Sequence, residues 1–115
     1  MDTSHTKELL LAELATVERE LAELGIYDTE TESWKVRLQN IDTSATEPDE
    51  LADRVEEYEE QQDELDVLQA RREDIVHALA RIEEGAYGTC EICGVSIEAE
   101  RLDVQPAART CVLHG

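Results

Sequence analysis

Apolar residues recur at helical spacing in the first part of the chain. They step by four, three, four and three residues, in the order Leu10, Leu14, Val17, Leu21 and Leu24. Ser4 is a favoured residue for capping the start of a helix, and Gly25 is favoured just past the end of one. The pattern therefore predicts an amphipathic helix over residues 4–24 with a heptad stripe.

A longer stripe follows Pro48, which suits the first turn of a helix. It alternates steps of four and three residues, with two steps of three together around Leu65, through Leu51, Val55, Tyr58, Gln62, Leu65, Leu68, Arg72, Ile75, Leu79 and Ile82. The paired short steps indicate local overwinding of a coil, and the polar residues Gln62 and Arg72 could fix its register. We predict a mainly α fold, in which a helix over residues 48–84 pairs with the first helix as an antiparallel hairpin, a coiled coil.

The segment between the two helices, residues 25–47, has a different pattern. The polar run 28–33 predicts a turn, and residues 42–48 predict a loop. Between them, Trp34, Leu38 and Ile41 could form the apolar face of a short helix. Trp34 either packs at the end of the helical hairpin or anchors a partner, and we expect burial because an isolated Trp usually packs.

The charge of the chain is strongly acidic, with a formal net charge of −19 and a pI near 4.2. From Glu47 to Asp66, eleven acidic residues face one basic residue, Arg54. This composition opposes direct nucleic-acid binding and binding to anionic membranes. There is no apolar run of membrane-spanning length and no signal-peptide pattern. Together with reduced cysteines, these features predict a cytoplasmic protein.

Four residues with metal-binding side chains form two matched pairs near the end of the chain. Cys90 and Cys93 are spaced C-x-x-C, and Cys111 and His114 are spaced C-x-x-H. Three thiolates and an imidazole suit tetrahedral zinc. The alternatives are buried reduced cysteines, or a disulfide with one thiol left over, which the odd cysteine count disfavours.

The pattern around these pairs favours a structural zinc ion over a catalytic one. All four ligand positions are filled by the protein, whereas catalytic zinc keeps one open. A helical H-E-x-x-H is absent, and so is the H-x-E element of deaminases, because Ala78 and Leu79 follow His77. We therefore predict no enzyme activity and a small zinc finger over residues 85–115, after a helical domain over residues 1–84.

The finger segment resembles the DksA/TraR family of RNA polymerase regulators. The resemblance rests on Tyr87-Gly88-x-Cys90-x-x-Cys93-Gly94-x-x-Ile97, on Arg101-Leu102, Pro106, Ala108 and Cys111, and on seventeen residues between the knuckles. His114 stands where the best-known members have cysteine. The family's C-terminal helix has no counterpart after Gly115, so we expect a short member.

The resemblance implies a helical hairpin, continuous with the finger, that enters the secondary channel of bacterial RNA polymerase. Acidic residues at its tip would act near the catalytic magnesium. The family pattern Asp-x-x-Asp-x-Ala corresponds to Glu50-Leu-Ala-Asp53-Arg-Val55, with Asp49 as an out-of-register candidate. We expect a transcription regulator whose tip residues are Asp49, Glu50 and Asp53.

Two other functions remain open from the sequence. The first is an acidic helical-hairpin adaptor or structural protein with a zinc cap, which would bind a different protein or a second copy of itself through its helices. The second is a zinc ribbon that binds nucleic acid, which the negative charge opposes. Polymerase binding separates the regulator from the adaptor.

Overall fold

A computed structural model describes residues 3–37 and 47–114 of the chain. The two main helices are α1, Ser4–Leu24, and α2, Pro48–Glu84. Lys7 Nζ, near the start of α1, lies 2.9 Å from Glu83 Oε1, near the end of α2, so the helices run in opposite directions there. The predicted mainly α fold, a long helical hairpin followed by a zinc-binding segment, is confirmed. No helix in these described ranges is long and apolar enough to cross a bilayer.

The chain divides into two compact units by its contacts. One comprises residues 1–16 with 72–115, and the other comprises residues 17–71. Apolar stripe residues are buried in each: Leu10 and Ile75 in the first, and Val17, Leu21, Leu65 and Leu68 in the second. The predicted division into residues 1–84 and 85–115 stays a prediction.

A β-hairpin follows α1 where the sequence predicts a turn and a short helix. Its strands are β1, Gly25–Asp28, and β2, Ser33–Val36, paired antiparallel with Tyr27 opposite Trp34. The prediction of helix at Trp34 is wrong, because β2 places alternate side chains on opposite faces and pairs with β1. The other residues of that predicted helix, Leu38 and Ile41, and loop residues 42–46 lie outside the described residues.

Gly25 begins β1, and the lack of room for a side chain explains why glycine suits this position. It is absent from the described glycines that have a positive φ. A Cβ atom there would lie 2.7 Å from the Lys35 carbonyl oxygen and 3.0 Å from both terminal methyl carbons of Leu65. The helix does end before Gly25 as predicted, and close packing, not a left-handed backbone conformation, accounts for glycine there.

Two glutamines of α2 bind the backbone of β2 along the edge that β1 leaves free. Gln69 accepts a hydrogen bond from the Trp34 N–H at 2.8 Å, and its Nε2 reaches the Trp34 carbonyl at 3.4 Å. Gln62 accepts from the Val36 N–H at 3.4 Å and donates to the Trp34 carbonyl at 3.3 Å. Gln62, predicted to fix helix register, thus holds a strand instead, which satisfies polar groups that would otherwise need water.

Trp34 is half-buried, so its predicted burial is partial. Its ring meets the Tyr27 ring in an edge-to-face arrangement, with centroids 5.6 Å apart and an interplanar angle of 64°. Aromatic pairs favour this geometry because ring edges and faces carry opposite partial charge. The pair is a side-chain contact between the two strands.

The apolar stripe of α2 is exposed at the start of the helix. Leu51, Val55 and Tyr58 keep 57%, 50% and 38% of their surface accessible, whereas Leu65 and Ile75 keep none. The helix spacing is as predicted there, but spacing alone does not supply a packing partner.

Candidate metal centre

The first knuckle of the finger is a tight turn built around Cys90. The Gly94 N–H donates to the Cys90 carbonyl at 3.0 Å, and the Cys90 N–H donates to the Val95 carbonyl at 2.8 Å. Gly94 has a φ of 75°, as its place after the knuckle predicts. Thr89 and Ser96 form an antiparallel bridge that closes the base of the turn. This geometry points the Cys90 and Cys93 side chains to the same side.

The second knuckle follows a short helix, α3, Ala99–Val104. Arg101 Nε donates to the Thr110 carbonyl at 2.9 Å, which holds the chain leading into this knuckle. The His114 N–H donates to the Cys111 carbonyl at 3.0 Å and closes the turn. A further backbone bond, from the Glu91 N–H to the Arg109 carbonyl at 3.0 Å, joins the two knuckles.

The apolar core of the finger is small and includes two of the metal ligands. Its buried residues are Cys90, Ile97, Leu102 and Cys111, with Tyr87 and Ala108 packed against them. The Tyr87 hydroxyl donates to the Pro106 carbonyl at 2.8 Å, and burial followed by the nearby Asp103 charge raises the pKa of Tyr87. A core of this size supplies little stability by itself, so folding of the segment depends on the metal.

The structure brings together all four ligands predicted from the sequence. The donor atoms of Cys90, Cys93, Cys111 and His114 lie within 4.8 Å of one another. Cys93 Sγ and Cys111 Sγ are 3.7 Å apart, and His114 Nδ1 lies 3.3 Å from Cys111 Sγ and 3.8 Å from Cys90 Sγ. Tetrahedral zinc with ordinary bond lengths requires about 3.8 Å between sulfurs and about 3.6 Å between sulfur and nitrogen.

The same distances argue against a disulfide. A disulfide needs its sulfurs at about 2.05 Å. All three cysteines are free, and the 3.7 Å separation of Cys93 and Cys111 matches two ligands of one ion.

The surroundings of the knuckles lower the pKa of Cys90 and raise that of Cys93. The pKa of Cys90 falls to about 6, mainly because its sulfur accepts a hydrogen bond from the Cys93 N–H. The Val95 N–H alone would lower the pKa of Cys93, but burial and the neighbouring thiols of Cys90 and Cys111 outweigh it and raise that pKa. A bound divalent cation relieves this crowding of negative charge, since zinc binds thiolates.

The donor set fits one structural zinc ion. Nδ1 is the His114 nitrogen that faces the sulfurs, so it is the atom that would bind the metal. Four protein donors fill a tetrahedral ion and leave no position for a substrate or a reactive water. When bound, zinc supplies folding energy to the finger.

Residues 85–112 match the model of the prokaryotic DksA/TraR C4-type zinc finger. The chain carries a zinc finger of the DksA/TraR type. The match ends two residues before His114, so the replacement of the fourth cysteine by histidine falls just beyond it. The resemblance that the sequence shows is therefore confirmed.

The uncharacterized protein YteA of Bacillus subtilis is 51% identical over 37 residues. These residues make up 32% of this chain and 16% of that relative, so the chain spans about one sixth of its length.

Two solved structures resemble nearly the whole chain. The transcription factor DksA2 of Pseudomonas aeruginosa has a TM-score of 0.72 and 25% identity, with 97% of this chain and 78% of that one covered. The DnaK suppressor protein of Agrobacterium tumefaciens has a TM-score of 0.57 and 24% identity, with 96% and 88% covered. The second likeness supports the fold alone, whereas the first covers the DksA-like helices as well as the finger.

The predicted tip residues belong to the other compact unit. Asp49, Glu50 and Asp53 are exposed in the first turns of α2, where Asp49 and Glu50 are the acidic residues of the first turn. Negative charge there stabilises a helix start, which is the ordinary role of such residues. Their action as a tip stays a prediction.

Sequence reasoning missed the charged residues beside the metal centre. His77 is half-buried, and its Nε2 contacts the Glu91 carboxylate. Arg109 Nε lies 2.9 Å from Asp74 Oδ1. The spacing of Asp74, His77 and Arg81 along one face of α2 could have indicated this contact, but nothing in the finger's sequence identifies its partners there.

Proposed function

We propose that this chain is a non-enzymatic transcription regulator that binds bacterial RNA polymerase in the cytoplasm. The observation that carries the proposal is the likeness of 97% of the chain to the transcription factor DksA2, together with the DksA/TraR-type finger. The protein would act through its helical hairpin in the secondary channel of the polymerase, with the finger held by structural zinc. It would read no DNA sequence, in keeping with its acidity.

The start of α2 supports an acidic tip. Asp53 lies four residues after Asp49 and three after Glu50, so the three carboxylates share one side of the helix. All three are exposed. Carboxylates on a helix can approach a magnesium ion or its basic surroundings, because oxygen ligands suit that ion. We assign the regulatory contact to Asp53, with Glu50 in a supporting role and Asp49 as the alternative acid.

The adaptor function keeps one observation in its favour. Leu51, Val55 and Tyr58 expose an apolar strip on the side of α2 away from the tip carboxylates. Such a strip on the surface of a helix is a feature of protein–protein contacts. It suits a partner other than polymerase as well as it suits polymerase, so it does not decide between the two functions.

Binding to purified bacterial RNA polymerase tests the proposal. We expect the zinc-loaded chain to bind the core enzyme and to change transcription from a promoter with an unstable open complex. Asp53→Asn should bind with nearly unchanged affinity and lose most of the regulatory effect, because a tip residue acts after docking.

The matched control is Asp63→Asn, which removes the same charge from an exposed position farther along α2. We expect it to behave like the unmodified chain. Failure to bind polymerase would leave the adaptor function. Binding with an unchanged effect of Asp53→Asn would rule out the tip mechanism and keep the partner.

A further inference from the structure

A row of charged and polar side chains on α2 faces the finger. Asp74, His77 and Arg81 are spaced by three and four residues, so they lie on one side of the helix. Within the same compact unit, two finger residues meet this row. Arg109 Nε lies 2.9 Å from Asp74 Oδ1, and the Glu91 carboxylate contacts His77 Nε2 and lies 3.7 Å from Arg81 Nη1.

The signs of charge on the two surfaces are complementary. Acidic Asp74 meets basic Arg109, and basic Arg81 meets acidic Glu91. Between 19% and 47% of each of these side chains stays exposed, so the pairs are partly shielded from water. Partial shielding strengthens a charge pair relative to one in bulk solvent.

Both finger residues are placed by the metal knuckles. Glu91 directly follows the ligand Cys90, and Arg109 precedes the ligand Cys111 by two residues. The backbone bond from the Glu91 N–H to the Arg109 carbonyl joins one knuckle to the other. Glu91 and Arg109 can therefore reach α2 together only while the two knuckles are held against each other.

The contacts with α2 are polar, whereas the apolar cluster of the finger draws on the finger alone. That cluster consists of Cys90, Ile97, Leu102, Cys111, Tyr87 and Ala108. Arg81 adds two further bonds by donating to the Ala86 and Thr89 carbonyls, each at 3.0 Å. Besides the Arg81 bond to the Thr89 carbonyl, the described contacts between the metal knuckles and the helix are those of Glu91 and Arg109.

We propose that Glu91 and Arg109 are positioning residues that transmit metal loading of the finger to residues 74–81 of α2. With the knuckles joined, the two side chains hold this helical segment. When the knuckles separate, both charge pairs are lost together, and the segment opens more often. Linkage is reciprocal, so the same contacts also favour the metal-bound finger.

Amide hydrogen exchange of the full chain, with zinc bound and after chelation, tests this proposal. In the unmodified chain we expect chelation to speed exchange at residues 74–81 about fivefold or more, since each partly shielded pair contributes modestly. In Glu91→Ala/Arg109→Ala, the zinc-bound form should already exchange faster there, and chelation should add little. The same variant should bind zinc about fivefold more weakly in a chelator competition.

Two controls separate a specific contact from general loss of stability. Glu100→Ala removes an acid from an exposed position in α3 and should leave the response to chelation unchanged. Reversal of one pair, Asp74→Arg with Arg109→Asp, should recover most of the response that Arg109→Asp alone removes. This reversal keeps the test informative even if the double-alanine variant folds poorly.

Two results would overturn the proposal. One is an unmodified chain in which chelation leaves exchange at residues 74–81 unchanged. The other is a zinc-bound double-alanine variant that keeps the full response to chelation, because metal loading would then reach the helix without these residues. Neither result depends on whether the chain binds polymerase.

Discussion

At the scale of single residues, two glycines are needed for different physical reasons. Gly25 has no room for a Cβ atom beside the Lys35 carbonyl and Leu65. Gly85 has open space around it but a φ of 75°, a backbone conformation that side chains disfavour. Asparagine tolerates this conformation better than alanine does, and it is also larger. These properties predict that the stability costs of substitution by Ala and by Asn rank in opposite order at Gly25 and at Gly85.

We expect Gly25→Asn to cost at least as much stability as Gly25→Ala, each about 1–3 kcal/mol, because the larger side chain worsens the overlap. At Gly85 we expect Asn to cost less than Ala, whose strain is about 1–2 kcal/mol. Urea unfolding followed by circular dichroism measures all four variants. An identical ranking at both sites would contradict this separation of causes.

His114 is the residue at which this finger departs from a four-cysteine site. Its Nδ1 lies close to two ligand sulfurs. His114→Ala should weaken zinc binding by about a hundredfold, if the binding energy of a structural site is shared among four ligands. His114→Cys should keep tight binding, because thiolate is an equally suitable ligand.

Competition with a colorimetric chelator measures both His114 variants, and elemental analysis should find about one zinc per unmodified chain. Unchanged affinity in His114→Ala would mean that another group is the fourth ligand.

At the scale of elements, the paired spacing of cysteine and histidine identifies the candidate metal ligands, and long-range periodicity with capping signals identifies α1 and α2. They fail between the helices, because Trp34, Leu38 and Ile41 imitate helical spacing over a stretch too short to test it. The β-branched and aromatic residues that flank the polar turn, Ile26-Tyr27 and Trp34-Lys-Val36, were the available strand signal.

Contacts between elements could not be predicted from the sequence. Gln62 and Gln69 bind the backbone of β2, and Glu91 and Arg109 meet α2 through charges. Such contacts depend on how elements approach each other, which a pattern along one element does not reveal. The exposed start of the α2 stripe is the same case, since periodicity identifies an apolar side and not its partner.

Gln62 and Gln69 attach the β-hairpin to α2, and substitution of Gln69 tests this attachment. Gln69→Leu should remove the acceptor of the Trp34 N–H and cost about 1 kcal/mol, because that part-buried donor is left without a protein partner. Gln69→Glu should cost less near neutral pH, since its carboxylate still accepts from the Trp34 N–H. Gln61→Leu, about two helical turns earlier and about 80° away around α2, is the control.

Trp34 is the single tryptophan of the chain, so its fluorescence reports on the hairpin directly. Thermal unfolding followed by that signal should shift downward in Gln69→Leu and stay in place in the control. A shift of equal size in both variants would show that the β2 contacts of Gln69 add nothing specific.

At the scale of the whole molecule, charge is distributed unevenly. The formal net charge is −19, and eleven of the acids fall between Glu47 and Asp66 against the single Arg54. Arg54 itself pairs with Glu57 at 3.7 Å. This concentration sets up a long-range field around the first part of α2, and such a field steers encounters with basic surfaces.

The last prediction uses this field to separate steering from tip action. Neutralising Glu56, Glu57, Glu59 and Glu60 to Gln changes the formal charge from −19 to −15, because four negative charges are removed. We expect slower association with RNA polymerase and a flatter dependence of the association rate on salt, with little change in dissociation. Salt screens exposed charges, so the two variants should converge in rate at high ionic strength.

A variant with the same total charge provides the control. Glu8, Glu20, Glu23 and Glu100 are exposed or half-exposed acids outside the α2 cluster, and their replacement by Gln also removes four charges. If steering comes from the local cluster, this dispersed variant should associate nearly as fast as the unmodified chain. Equal slowing in both variants would show that net charge alone acts. The acidity of α2 would then have no directional role, and Asp53 and its neighbours would have to act only after docking.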